Sequence, residues 1–368
     1  MSSSVRFLSP SEAAQRLGVS VKALRLYERR GLIAPGRNAA GWRAYGPDEM
    51  ARAAEIVALR ALGLSLAQVA RVLGGDPQSL EPALAAHQAM LESRIRQLGG
   101  AIEKVRGLRA DLARGQAPAA GELVRLLEPA AGLSVAFELP WPWGGERFEL
   151  SDIRSLTYII GPLGSGKTRL AMRLAEALPN AAFLGLDRQI VLGVRLAETL
   201  PNAVFLGIER LADGDAAAQA KLDADPALKS RVDRSLAWLL DDGATLSPAL
   251  TALLVGLESE GPAILVVDMV EQGLDHATQE ALIAYLRQAG AAGGRPLFLM
   301  TRSSAILDLA AVGPDEAIIL CPANHSPPTR VAPYPGAPGY EAVATCLASP
   351  EVRARTEGVI AWRAGATA

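Results

Sequence analysis

The chain has 368 residues, half of them apolar, and a formal net charge of only −2. That length exceeds one ordinary hydrophobic core, so two or three globular domains are expected and a disordered or fibrous chain is excluded. Charge is unevenly spread. Residues 1–114 hold 17 Lys+Arg against 10 Asp+Glu and the remainder 20 against 29, so a basic head suited to a polyanion is joined to an acidic body that is not. The two cysteines, Cys321 and Cys346, are too few for a disulfide framework or a thiolate metal site. No apolar run reaches the ~18–20 residues that span a bilayer, and the first residues lack the apolar core of a signal peptide. A soluble, cytoplasmic protein without a membrane partner is expected.

In chain order, SPSEAAQRLG (9–18) predicts a capped helix with Ala13, Ala14 and Leu17 inward. Ser20 caps again, and VKALRLYERRGL follows as a second helix with Leu24 inward and Arg25, Arg29 and Arg30 outside. Length and pattern are those of a helix-turn-helix. The turn-rich stretch RNAAGWRAYGPDE then offers Arg37, Trp42, Arg43 and Tyr45 as a wing against phosphate or minor groove. Two more helices, Asp48 to Leu62 and Ser65 to Leu73, complete a small bundle over residues 1–78.

The run SEAAQRLGVSVKALRLYERRGLIAPGRNAAGWRAY, with ALRALGLSLAQVARVL after it, resembles the DNA-binding domain of MerR-family transcription regulators. The resemblance implies a winged helix-turn-helix that binds duplex DNA at an inverted-repeat operator as a homodimer, with RNA polymerase as a partner at the promoter. Ser20 to Arg29 becomes the recognition helix, and Ser20, Lys22, Arg25, Tyr27, Arg29, Arg37, Arg43 and Tyr45 the DNA-facing positions. Tyr27 has the core as its alternative. Trp42 stands where the family usually has Tyr.

From Ser79 to Arg114, Leu84, Leu91, Ile95, Leu98, Ile102, Val105, Leu108 and Leu112 alternate at three and four, which predicts a coiled-coil helix (79–114) interrupted only by Gly99–Gly100. In the resembled family this helix pairs with its dimer mate. Metal-sensing members carry cysteines at its end, and here there are none. GQAPAAGE opens a linker over 115–132.

The body (133–368) is built around TYIIGPLGSGKTRLAMRLAEAL, where an apolar strand ends in a glycine loop that opens into a helix. Gly161, Gly166, Lys167 and Thr168 satisfy G-x-x-x-x-G-K-[ST], with Gly164 and Ser165 inside the loop. Main-chain N–H groups and the helix N-terminus favour a phosphate chain, Lys167 reaches its β/γ oxygens, and the Thr168 hydroxyl suits Mg²⁺. AILVVD (263–268) is a buried strand ending in Asp268, a second Mg²⁺ contact through water. ATP and Mg²⁺ are the expected cofactors. Residues 173–186 recur at 195–208 with eleven of fourteen positions identical, a duplicated helix-strand unit. The acidic, Ala-rich run Glu209 to Asp242 reads as a helical arm, and Gln189 is a weak candidate for sensing the γ-phosphate.

FELSDIRSLTYIIGPLGSGKTRL, DMVEQGLDHATQEALIAYL and PLFLMTRSSAIL together resemble ATP-binding-cassette and SMC/RecF-like ATPases. The implied fold is an α/β P-loop NTPase domain of ATP-binding-cassette type, behind the all-α winged helix-turn-helix and its coiled-coil helix. The resemblance offers Trp141 and Trp143 as faces for adenine, the alternative being a turn packed on a strand. It makes Gly273, Leu274 and Asp275 the D-loop, and places Arg302 at the switch position. Three departures touch hydrolysis. Met269 stands where a glutamate polarises water, Arg302 where the switch histidine belongs, and LSPA (246–249) where LSGG belongs. Glu271 is a candidate replacement base, although strand-to-loop register aims it elsewhere. The expectation is a transcription regulator whose body binds ATP, hydrolyses it slowly or not at all, and modulates operator binding. The alternative is a DNA-associated ATPase of the SMC/RecF kind with the helix-turn-helix as a tether.

Overall fold

The computed structural model describes residues 7–38, 40–114, 133–184, 204–205 and 214–347. The linker 115–132, Gln189, the helix of the second repeat and the chain beyond 347 lie outside the described residues. The head begins with α1 (Pro10–Leu17) and α2 (Val21–Arg29). Ser9 starts α1 reciprocally, its hydroxyl accepting from Glu12 N at 3.3 Å while the Glu12 carboxylate accepts from Ser9 N at 2.8 Å. Ser20 Oγ starts α2 by accepting from Ala23 N at 3.1 Å. The two-residue strands β1 (Gly36–Arg37) and β2 (Arg43–Ala44) pair antiparallel as the wing. α3 (Pro47–Ala61) and α4 (Leu66–Leu73) close the bundle around Leu24, Tyr27, Tyr45, Ile56, Leu64 and Val69.

α5 (Leu80–Ala113) runs 34 residues without a break at Gly99–Gly100. Its apolar stripe, with Leu84, Leu91, Ile95, Leu98, Ile102, Val105 and Leu112, is exposed. No helix among the described residues is long and apolar enough to cross a membrane.

In the body, β3 (Val135–Glu138) and β4 (Arg147–Leu150) form a separate antiparallel pair. The main sheet contains β5 (Leu156–Ile160), β6 (Ala181–Leu184), β7 (Val204–Phe205), β8 (Ile264–Val267), β9 (Leu297–Met300), β10 (Glu316–Leu320) and β11 (Thr329–Val331). Its order is β11-β10-β5-β9-β8-β6-β7, parallel except for β11. Strand alternation sends Leu156, Tyr158 and Ile160 to one core and Ile159 to the other. α6 (Lys167–Ala177) and the β3–β4 pair cover the second core. α7 (Gly214–Ala224), α8 (Pro226–Asp241), α9 (Pro248–Glu258) and α10 (His276–Ala291) cover the first, and α11 (Tyr340–Cys346) packs at its edge.

One expectation changes here. The run expected as an arm is instead α7 and α8, whose Leu222, Leu228, Val232 and Leu239 are buried in the core on this face, where the two helices pack on α9 and α10. Apolar residues at helical spacing inside an acidic run make it a packed layer. The repeat places its two strands side by side, Ala182 opposite Val204 and Phe183 opposite Phe205, both pairs at the repeat's own 22-residue offset.

Candidate functional site

The central strand β5 delivers the chain into the loop 161–166, and α6 leaves it. Gly166 starts that helix at φ 91°, with the Trp143 ring packed where a side chain would stand. Only glycine meets both conditions. A Cβ on Gly161 would strike the Cys321 carbonyl and the Ser165 hydroxyl, so β5, the loop and the end of β10 are in close contact. Lys167 Nζ lies across the loop, donating to the Gly161 and Pro162 carbonyls at 2.7 Å each. Burial, with Arg302 nearby, lowers its pKa from the usual lysine value, against pulls from Cys321, Cys346 and Asp268. Ser165 Oγ is buried and has no hydrogen-bond partner among the described residues.

A cavity of about 360 Å³ opens in front of this loop. Gly164, Ser165, Gly166, Lys167, Thr168, Asp268, Glu271, Arg302 and Trp141 all line it. It therefore brings together the glycine loop, the residues after β8, the residues after β9 and one aromatic face. A lysine held only by carbonyls, an orphaned hydroxyl and a helix N-terminus around a cavity of this size fit a polyphosphate. Thr168 and Asp268 in the same wall supply the oxygen donors that Mg²⁺ takes.

The two tryptophans separate. Trp141 is 77% exposed beside the cavity, whereas Trp143 is buried with the β3–β4 core, and its Nε1 donates to Ser326 O at 3.1 Å. A ring packed on Gly166 from behind offers no face for stacking, so Trp143 is corrected to a structural role. Glu271 is also corrected. It does not point away. It is 3% exposed, lies in the cavity wall and accepts from Arg302 N at 3.0 Å. Met269 adopts φ 44°, and that left-handed residue breaks the strand alternation from which the opposite direction follows. Ser247 of LSPA caps α9 by accepting from Leu250 N at 3.2 Å, with Pro248 opening the helix. Asp275 caps α10 by accepting from Thr278 N at 2.7 Å. His325 is exposed, as a surface histidine, and its Nε2 meets Gly164 O at 3.1 Å. Only the adjacency of β10 and β5 reveals that contact.

On the head, Arg25 is exposed on α2, and Trp42 is 73% exposed at the wing tip. Arg37 donates to Gly41 O at 2.9 Å within the wing, and Arg43 pairs with Glu28 at 2.6 Å. Tyr27 and Tyr45 are core residues, 6% and 0% exposed, and Ser20 is 7% exposed as the helix cap. Their side chains are therefore corrected from exposed positions to core and cap, since apolar packing of the rings outweighs presenting them to solvent. Lys22 and Arg29 lie on the α2 face that meets the body: Lys22 Nζ donates to Ser304 O at 2.9 Å and Arg29 pairs with Glu280 at 3.2 Å.

Comparison with known proteins matches residues 8–75 to the MerR HTH family of regulatory proteins. A probable heavy metal-dependent transcriptional regulator of Haemophilus influenzae is 36% identical over 102 residues, 26% of this chain and 80% of that protein. Among solved structures, a MerR family regulator lacking the sensor domain, bound to promoter DNA, aligns over 30% of this chain and 92% of its own at 22% identity and TM-score 0.23. An ATP-binding cassette of an ABC transporter in its ADP conformation aligns over 61% of this chain and 98% of its own, at 13% identity and TM-score 0.34.

Proposed function

Because the chain belongs through its head to the MerR family of helix-turn-helix regulatory proteins, we propose that it is a dimeric, DNA-binding transcription regulator whose body binds ATP and Mg²⁺. The proposed division is 1–78 for DNA binding, 79–114 for dimerisation, 115–132 as linker and 133–368 as nucleotide domain. The observation that carries the nucleotide half is the convergence of Ser165, Lys167, Thr168, Asp268 and Arg302 on one cavity. Lys167 and the P-loop amides would hold the phosphates, Thr168 and Asp268 the metal, and Trp141 the base. ATP with Mg²⁺ supplies a bulky polyanion there, and the residues around it bind and orient that anion. In the head, Lys22, Arg25, Arg29, Arg37 and Arg43 supply cations for DNA, while the exposed stripe of α5 supports pairing of two chains. The DNA partner would be an inverted-repeat operator, with RNA polymerase at the promoter.

Met269 in place of a carboxylate supports slow or absent turnover. The second reading, a DNA-associated ATPase, is favoured by one observation: Glu271 is a carboxylate in the cavity wall. Steady-state phosphate release separates the two. The regulator reading expects turnover far below the ~10 s⁻¹ typical of enzymes, with Met269→Glu raising it. The enzyme reading expects ordinary turnover that Glu271→Gln lowers about 100-fold or more, the scale of a general base. Random-duplex selection with the full chain tests the DNA half, and failure to enrich an inverted repeat would rule it out.

A further inference from the structure

The face of α2 that carries Lys22 and Arg29 is occupied by the body. Besides Lys22 to Ser304 O and Arg29 to Glu280, Arg30 donates to Asp242 O at 2.9 Å. Behind α2, Arg60 grips the Asp242 carboxylate at 2.7 and 3.1 Å, and Leu66 N donates to the same carboxylate at 2.7 Å. Trp238 Nε1 donates to Gly63 O at 3.1 Å, with the Arg60 guanidinium over its ring at 5.2 Å. Gly243, at φ 100°, leaves its Cβ position to the Arg30 guanidinium.

This interface is specific but not tightly filled. A cavity of about 270 Å³ lies between the two parts, with Lys22 and Tyr27 on one side and Glu280, Arg287 and Asp308 on the other. Asp242 is itself costly to bury: desolvation pushes its pKa above the usual carboxylate value, while Arg60 and the Leu66 amide pull it back. A desolvated ion pair gives geometry more than net strength. Polar anchors around unfilled space suit a contact that opens.

Both body segments that hold the α2 cations start at the nucleotide cavity. Thr301 and Arg302 line that cavity, and Arg302 N donates to Glu271 in its wall. Ser303 Oγ donates to Gln279 at 2.5 Å and receives Ala305 N at 3.1 Å, and Ser304 O between them receives Lys22. Glu280 stands on α10, whose cap Asp275 lies four residues after Glu271. A polyphosphate would repel the Glu271 carboxylate and attract Arg302, and either response moves the segment that ends on Ser304.

We propose that the body is a docking surface for the chain's own recognition helix, which competes with DNA for Lys22 and Arg29 and yields when ATP and Mg²⁺ displace the 301–305 segment. This rests on the DNA reading of α2 given above. Docking engages two cations that would otherwise meet phosphates, Arg29 on the Glu280 carboxylate and Lys22 on the Ser304 carbonyl, so release steepens the salt dependence of DNA binding by ~0.9 in log–log slope per freed cation.

The test measures binding of the full chain to a labelled random-sequence duplex, with and without ATP and Mg²⁺. Glu280→Lys places a like charge beside Arg29, and Trp238→Phe removes the bond to Gly63 and weakens the contact with the Arg60 guanidinium. Both should tighten DNA binding about 5–150-fold, the usual range of coupling between sites, and steepen the salt slope. Both should leave little further gain from ATP. Hydrogen exchange of the α2 amides should rise in each variant, and in the unsubstituted protein when ATP is added. Arg25→Ala, outside the docked contacts, should weaken DNA binding in every background. If Arg25→Ala weakens binding while both interface variants match the unsubstituted protein in affinity and exchange, docking is overturned and the DNA reading stands. If no form binds duplex in an Arg25-dependent way, the DNA reading fails and docking fails with it.

Discussion

At Lys167 one atom decides nucleotide affinity. Its ammonium donates to two backbone carbonyls, so a phosphate exchanges neutral acceptors for charged ones. A hydrogen bond to a charged group contributes about 1.5–3 kcal/mol. Lys167→Ala should therefore weaken ATP binding about 100-fold, as read by equilibrium dialysis of labelled ATP. An unchanged affinity would remove the P-loop from the binding site. The two thiols differ for a related reason. Burial pushes the Cys321 thiol up to about 12, against the pull of Lys167, so roughly one in ten thousand is thiolate at pH 8. Cys346 is half-buried and its thiol is raised by burial as well. Iodoacetamide at pH 8 should label Cys346 first in the native protein, with Cys321 reacting only after unfolding. Mass mapping that finds equal labelling would contradict the packing around Gly161.

Among the elements, α5 most clearly lacks its partner. Its stripe leaves Ile95 68% and Leu98 58% exposed, more than a lone helix gains from leaving such residues in water. If α5 pairs two chains as proposed, Ile95→Glu should leave only monomer in sedimentation equilibrium, with the α/β body folded. Nothing lies within 4 Å of a Cβ added to Gly99 or Gly100. Replacing both by Ala should then stabilise the helix by about 1 kcal/mol per position and raise its melting temperature. A loss of stability would mean that the partner helix approaches at those glycines.

Across the whole molecule, Asp242 joins head to body. Its side chain is 2% exposed and that of Arg60 17%. Removing one partner leaves a buried charge without its cation, at a cost of about 3–5 kcal/mol, whereas replacing both with apolar groups is often neutral. In urea denaturation Arg60→Ala should lower the midpoint, and the double substitution Arg60→Met with Asp242→Leu should recover most of it. If the single and double variants unfold alike, the pair contributes nothing to the joint.

Sequence alone determined what local chemistry controls. Ser9, Ser20 and Ser65 each announce a helix by capping it. The strand periods of LTYII and ILVV appear as the buried strands β5 and β8. The residue spacing of GPLGSGKT announces the glycine loop between β5 and α6 because its geometry is internal to eight consecutive residues. Tertiary structure alone decided the rest. Trp141 and Trp143 are equivalent two residues apart in a list of letters, yet one faces the cavity and the other the core, because the β3–β4 pair packs on α6. Glu271 turns into the wall because Met269 adopts a left-handed backbone that no alternation rule anticipates. Lys22 and Arg29 read as solvent-facing cations on their own helix. Their partners Ser304 and Glu280 lie 282 and 251 residues away, a distance in sequence that only the packing of head on body closes.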